Sequence, residues 1–149
     1  MKAISVSDRF MKEALREAKK GLREGGIPIG AVLVLNGKII GKGRNRRVQT
    51  DSPILHAEMD CIRNAGRIRD YKETVMYSTL MPCYMCAGTI VQLGIKRLVV
   101  GENINYRGTE RFLRAHGVRV ENICSNECAE LLGQFIKTHR KLWSEDSGL

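Results

Sequence analysis

The residues best suited to chemistry are a histidine and a glutamate two positions apart, followed later in the chain by two cysteines. His56 and Glu58 lie in the segment His-Ala-Glu, and Cys83 and Cys86 lie in Pro-Cys-Tyr-Met-Cys. One imidazole and two thiolates make three zinc ligands, which leaves the fourth tetrahedral position open to water, as in catalytic zinc sites. Such water becomes acidic near neutral pH, and a nearby carboxylate can move its protons. The pattern therefore predicts hydrolysis at zinc, with Glu58 as the acid–base group.

Two other interpretations of this pattern remain open at this point. The histidine and the two cysteines could be buried core side chains, although the pattern would then match five positions by coincidence. Alternatively, zinc could be structural, with Cys124 or Cys128 as a fourth ligand, but a closed site leaves Glu58 without a role. We expect Cys124 and Cys128 to be ordinary thiols and Cys61 to pack in the core.

Apolar spacing and turn residues predict the elements that must hold these residues. In chain order, we predict a helix over 8–22, strands over 29–35 and 38–43 joined by a hairpin at Asn36-Gly37, a helix over 55–65, a strand over 74–78, a helix over 83–93, strands over 97–100 and 118–123, and a last helix from residue 125 or 126 to about Trp143. Alternating strands and helices favour an α/β fold. We predict one domain over 1–149, an α/β/α sandwich with a mixed central sheet.

The composition limits the setting of this domain. The chain has 149 residues, of which 43% are hydrophobic, which suits a single core. No apolar run approaches the roughly 20 residues that cross a bilayer, and the first helix is charged too early for a secretory signal. Five cysteines, an odd number, argue against a disulfide framework. We therefore expect a cytoplasmic protein with no membrane partner.

The net charge of +9 raises the question of an anionic partner. Its one tight cluster consists of Arg44, Arg46 and Arg47, which could contact phosphate. Net charge bears on solubility and non-specific binding rather than on a particular partner. We therefore favour a soluble basic surface over a nucleic-acid partner.

At these motifs the chain resembles the cytidine deaminase superfamily, and most closely the fungal-type cytosine deaminases, which act on the free base. It matches every fixed position of the zinc deaminase signature H-x-E…P-C-x-x-C, in which the glutamate is not a ligand. The likeness covers nearly the whole chain and is carried by GGIPIGAVLV at 25–34, LHAE at 55–58, MPCYMC at 81–86, GENINY at 101–106 and WSED at 143–146.

The resemblance implies a Zn²⁺-dependent hydrolase that converts cytosine, or a close amino-pyrimidine such as isocytosine, into the oxo base and ammonia. Zinc would be held by His56, Cys83 and Cys86, and Glu58 would transfer the protons. A small nucleobase is then the partner, the context is pyrimidine salvage, and family likeness suggests a homodimer.

The resemblance also implies residues that bind the substrate. Asn45 matches an asparagine that hydrogen-bonds the pyrimidine, which an amide with donor and acceptor can do, and Asp146 matches a carboxylate that accepts from the exocyclic amino group. Trp143 matches an aromatic over the pocket and Tyr106 one at its wall, while the backbone N–H of Ala57, with that of the first metal-binding cysteine, faces the site. Taken alone, Asn45 reads as a turn residue and Trp143 as a core anchor.

Three residues depart from the fungal pattern. Val48 and Tyr106 stand where those enzymes carry phenylalanine, and Tyr84 replaces an acidic residue between the cysteines. A smaller Val48 and a hydroxylated Tyr106 would change the volume and polarity of the pocket, which leaves the exact base open.

Other functions fit parts of the same pattern. Bacterial tRNA adenosine deaminases share with this chain the segments HAE and PCYMCAG and an excess of basic residues. They act on a flipped-out base in an RNA loop. The WSED tail, which resembles a lid over a small pocket, argues against a polynucleotide. A guanine deaminase is a third candidate, and an inactive zinc module that binds nucleic acid is a non-enzymatic one.

Overall fold

A five-stranded sheet in the order β2-β1-β3-β4-β5 forms the centre of the fold. The computed structural model describes residues 6–149. The strands are β1 (Gly30–Leu35), β2 (Lys38–Arg44), β3 (Thr74–Ser78), β4 (Arg97–Val100) and β5 (Arg119–Asn122). β1 is antiparallel to both β2 and β3, whereas β3, β4 and β5 run parallel. The prediction of a mixed sheet is therefore confirmed.

Helices cover both faces of this sheet. They are α1 (Val6–Arg23), α2 (Arg47–Thr50), α3 (Ala57–Ala65), α4 (Tyr84–Leu93), α5 (Glu110–Ala115), α6 (Asn126–Thr138) and α7 (Arg140–Ser147). Successive strand residues point to opposite faces, so β1 contributes Leu33 to a cluster with α3 and α4, and Val32 to a cluster with α1. These two apolar layers make the α/β/α sandwich that was predicted.

The predicted last helix is in fact two helices. α6 ends at Thr138 and α7 begins at Arg140, because His139 adopts φ −136° and ψ 49° and leaves the helical conformation. Its ring stacks on Phe135 with the centroids 4.2 Å apart. After this break, α7 reaches the site described below. The short helices α2 and α5 were also not predicted.

A close approach between α3 and β2 fixes the start of α3. A Cβ atom added to Gly43 would overlap the backbone nitrogen of Cys61 and lie 2.6 Å from the carbonyl oxygen of Ala57. Only glycine allows this backbone-to-backbone contact, which brings the end of β2 beside the first turn of α3. Within residues 6–149, no helix combines the length and apolar character needed to span a membrane.

Candidate active site

Two helix starts bring the metal-binding residues together. His56 is the N-cap residue of α3, and Cys83 is the N-cap residue of α4, where its Sγ accepts a hydrogen bond from the N–H of Cys86 at 3.5 Å. A helix N-terminus carries partial positive charge, which favours the thiolate form of a cysteine placed there. The ligand atoms of His56, Cys83 and Cys86 all lie within 4.8 Å of one another.

The spacing of these atoms fits zinc. The Nδ1 atom of His56 lies 3.3 Å from Sγ of Cys83 and 3.8 Å from Sγ of Cys86. Tetrahedral zinc with its usual bonds to nitrogen and sulfur separates such atoms by about 3.6 Å. The structural-zinc alternative lacks its fourth ligand, since Cys128 packs in the α1 cluster and Cys124 is exposed. The cluster therefore suits a three-ligand zinc site.

The charges of the site favour the thiolate form of Cys83. The hydrogen bond from Cys86 lowers the pKa of Cys83 to about 4, and the neighbouring His56 adds to this effect against the opposing influence of burial. Burial opposes protonation of His56, but its hydrogen bonds to Asp146 and Cys83 outweigh burial and raise the pKa to about 10. Cys83 is thus held in the form that ligates metal.

Glu58 has the environment of an acid–base group. It lies in the first turn of α3, and its side chain is buried. Burial raises the pKa of Glu58 to about 7, and the negative charge of Cys83 adds to the effect. A carboxyl group that titrates near neutral pH can both accept and return a proton.

α7 brings Asp146 to the same place. Oδ1 of Asp146 accepts a hydrogen bond from Nδ2 of Asn45 at 2.9 Å and lies 3.1 Å from Nε2 of His56 and 3.8 Å from Nε of Arg47. A carboxylate on the second ring nitrogen of a metal-binding histidine fixes the orientation of that ring. The other ring nitrogen, Nδ1, faces the two cysteines.

A single cavity collects the residues singled out by the sequence. Its volume is about 20 Å³, close to the minimum that holds a water molecule. Asn45 is fully buried, and both Tyr106 and Trp143 are less than a tenth exposed. The cavity is lined by the predicted substrate-binding residues Asn45, Ala57, Tyr106, Trp143 and Asp146 together with His56, Glu58 and Cys83.

One expectation about the surroundings of the site was wrong. Val48 is not a pocket residue: it is 41% exposed and lines a separate surface cavity with Leu142, because α2 turns the chain outward after Arg46. Tyr84 is 73% exposed. The departure from the fungal pattern that does reach the pocket is therefore Tyr106.

The side chains of the arginine cluster contact groups of the chain itself, with Arg44 buried and Arg46 and Arg47 half-buried. Arg44 is 9% exposed, and its guanidinium pairs with Glu17 of α1 at 3.1 Å and with Glu24, which directly follows α1, at 2.8 Å. Nε of Arg46 lies 3.3 Å from Oδ2 of Asp60, an ion pair without a well-directed hydrogen bond. Arg47 donates to the carbonyl of Pro53 at 3.1 Å. Each of these arginines has a partner within the chain.

Sequence reasoning missed two buried carboxylates that shape the site. Asp60 is fully buried on α3, and Glu102 is 1% exposed in the loop after β4. Glu102 accepts from the N–H groups of Ile104 and Asn105 at 2.6 and 3.0 Å, which fixes the loop that carries Tyr106. The signal for Asp60 was an acidic residue one helical turn after His56, between Ala57 and Cys61 on the buried side of the helix.

Comparison with known proteins places these features in a family. The family described as cytidine and deoxycytidylate deaminase zinc-binding region matches residues 4–102. The chain is 45% identical to a cytosine deaminase of Candida albicans over 141 residues, which cover 93% of this chain and 94% of that protein. It is 39% identical to a tRNA-specific adenosine deaminase of Buchnera aphidicola over 142 residues, which cover 88% and 94%.

A solved structure gives the same result. A chain from work on A-to-I editing by tRNA:A34 deaminases superposes with a TM-score of 0.73 at 34% identity, covering 83% of this chain and 99% of that one. The matched family region holds both halves of the zinc-binding pattern. The chain therefore belongs to the cytidine and deoxycytidylate deaminase family of zinc hydrolases.

Proposed function

We propose that this enzyme deaminates a free pyrimidine base, with cytosine as the substrate and uracil and ammonia as the products. The observation that carries the proposal is the position of α7, which places Trp143 and Asp146 on the cavity of the zinc-binding residues. A base fits beneath such a cover, whereas a base still attached to a polynucleotide needs an open path. The 45% identity to a cytosine deaminase supports the same substrate.

The catalytic role is assigned to Glu58. Zinc held by His56, Cys83 and Cys86 would supply Lewis-acid activation of water. Glu58 takes a proton from the attacking water and passes it to the ring nitrogen next to the amino-bearing carbon. It then takes the second proton of that water and gives it to the departing amino group. The carbon exchanges its bond to nitrogen for a bond to oxygen, so one water is consumed and one ammonia is released.

Asn45 has unused hydrogen-bonding capacity for the base. Its Nδ2 gives one hydrogen to Asp146, and its Oδ1 accepts from the N–H of Arg47 at 3.1 Å. One N–H and one lone pair of the amide remain, which suit the oxo group and the adjacent ring N–H of cytosine. The N–H of Ala57 lies in the first turn of α3, where helix N–H groups lack an intrahelical acceptor.

Asp146 is assigned to the amino group that leaves. The contacts described for its carboxylate all use Oδ1, so Oδ2 is available to accept from the exocyclic amine. Trp143 and Tyr106 supply flat apolar surfaces against which an aromatic ring packs.

The tRNA adenosine deaminases are the second candidate, because the chain is 39% identical to one of them and carries a net charge of +9. An RNA substrate would need cations near the mouth of the site. The three arginines closest to Asn45 in sequence are instead paired within the chain. The free base is therefore favoured.

We also propose that residues 1–149 form one deaminase domain that works as a cytoplasmic homodimer in pyrimidine salvage. One cavity receives Asn45 from the end of β2 and Asp146 from α7, which supports a single domain.

Tyr84 and Ile104 are 73% and 75% exposed, and burying such side chains favours association. Light scattering on the zinc-loaded protein would give the mass of a dimer if this is correct, and that of a monomer if it is wrong.

Ammonia release from a panel of substrates tests the proposed reaction. The panel contains cytosine, isocytosine, guanine, cytidine and a tRNA anticodon stem-loop, each incubated with zinc-loaded protein. Turnover of cytosine with the nucleoside and the RNA inert is the expected result. Activity confined to the RNA would overturn the proposal and move the function to tRNA editing. Strong salt-dependent RNA binding without ammonia release would instead indicate a binding module.

A further inference from the structure

We propose that Asp60 is a positioning residue that fixes Asn45 relative to the metal-binding end of α3 and thereby sets how well the enzyme recognises its base. The inference rests on the proposed contact between Asn45 and the base. Asp60 belongs neither to the zinc ligands nor to the residues that line the cavity.

The contacts of Asp60 join the two parts of the site. Its own N–H donates to the carbonyl of His56 at 2.9 Å, so it lies one turn into the helix that starts at the metal. Its Oδ2 accepts from the backbone N–H of Arg44 at 3.0 Å. Arg44 is the last residue of β2 and directly precedes Asn45. One carboxylate therefore links the strand end that presents Asn45 to the helix that presents Glu58.

The negative charge of Asp60 is compensated by two cations. Asp60 is fully buried, and a buried carboxylate is costly unless it is paired and hydrogen-bonded. Nε of Arg46 lies 3.3 Å from Oδ2, and Nη2 of Arg63 lies 3.2 Å from Oδ1. The side chain of Arg63 is 59% exposed and that of Arg46 is 29% exposed. The outer pair with Arg63 is therefore the weaker one.

The backbone on either side of Asn45 is held from other directions as well. The N–H of Asn45 donates to the carbonyl of Ile29 at 3.0 Å, and the N–H of Arg46 donates to that of Leu55 at 2.9 Å. Asp60 supplies the link toward α3. Without it the buried N–H of Arg44 loses its acceptor, and the strand end can shift against the helix. Displacements of about 1 Å in a positioning group can cost about 100-fold in rate.

Substrate discrimination separates positioning from simple loss of stability. 4-Aminopyrimidine carries the amino group of cytosine but lacks the 2-oxo group assigned to Asn45. Asp60→Ala removes the acceptor. Asp60→Asn keeps one, because its amide oxygen can still accept from the N–H of Arg44. Arg63→Ala is the matched control. We expect Asp60→Ala to raise KM for cytosine about 10-fold or more, in line with the cost of small displacements. The KM for 4-aminopyrimidine should change little.

The expected pattern has two further parts. Asp60→Asn and Arg63→Ala keep the discrimination between the two substrates near that of the wild type. Adding Asp60→Ala to Asn45→Ala causes no further loss, since the two changes remove the same contact. If Asp60→Ala does not fold, Asp60→Val takes its place, because valine leaves a smaller cavity than alanine and also provides no acceptor.

Two results would overturn the proposal. Either KM for cytosine in Asp60→Ala stays at the wild-type value, or both substrates lose the same factor, as a purely structural role would give. If the proposed function itself is wrong, the results differ from these two. In that case Asn45→Ala keeps full discrimination between cytosine and 4-aminopyrimidine, or the wild type does not deaminate cytosine at all.

Discussion

Oδ1 of Asp146 lies 3.1 Å from Nε2 of His56, so the C-terminal helix touches the residue whose other ring nitrogen faces the two cysteines. The same oxygen accepts a hydrogen bond from Asn45 at 2.9 Å. One carboxylate on α7 thus contacts both the metal-binding group and the proposed base-binding group. The metal site and the cover over it are physically coupled.

Replacing Asp146 with Asn tests this coupling. The amide keeps the volume of the side chain but removes the charge beside His56. We expect zinc affinity to fall about 10-fold or more, as for other partners of metal-binding histidines, and kcat/KM for cytosine to fall with it. Competition with a zinc chelator measures the first quantity. Glu145→Gln, an exposed neighbour on α7, is the control, and equal behaviour of the two variants would contradict the coupling.

Replacing Cys83 with Ala tests the ligand set. We expect the purified variant to lose its zinc and to melt at a lower temperature, because metal binding contributes to folding. Metal analysis together with thermal unfolding measures both effects. Cys124→Ala removes an exposed thiol outside the cluster and should keep its zinc. One bound zinc per chain in Cys83→Ala would refute the assignment.

The pair of Glu24 and Arg44 makes part of the stability dependent on acid pH. The hydrogen bond from Arg44 lowers the pKa of Glu24 from 4.5 to about 2. A carboxylate whose pKa is depressed by folding stabilises the protein above its unfolded pKa and loses that effect as pH falls through its folded pKa.

We therefore expect Glu24→Gln to lower the free energy of unfolding at pH 7 by less than about 1 kcal/mol, since the pair is partly exposed. The difference from the wild type should shrink between pH 4.5 and about 2. Denaturant unfolding at several pH values measures it. A difference that is constant over this range would show that the charge of Glu24 is not responsible.

Local patterns predicted much of the fold but not the path of its end. The strands at 74–78 and 97–100 and the helix stop at Gly94 were predicted at the observed positions, because apolar runs and glycines mark them in the sequence. The break at His139 carries neither glycine nor proline. There His139 stacks on Phe135, a contact that the sequence does not reveal.

Some residues of the site could likewise be predicted from local sequence, and others could not. His56, Glu58 and the two cysteines follow from short-range spacing alone. The hydrogen bond between Asn45 and Asp146 joins residues 101 positions apart, so only the family resemblance indicated their common role. The inward pairing of Arg44 was not predicted, because its partners Glu17 and Glu24 lie 27 and 20 positions away in the sequence.

The most direct test of the central claim is the conversion of cytosine to uracil by zinc-loaded wild type and by Glu58→Gln, followed by ultraviolet absorbance with zinc content measured on the same samples. Gln keeps the size of the side chain but cannot take up a proton. The account predicts equal zinc in both proteins and a loss of at least about 100-fold in kcat, the lower range for a general acid–base group. Wild-type turnover in Glu58→Gln at equal zinc content would contradict it.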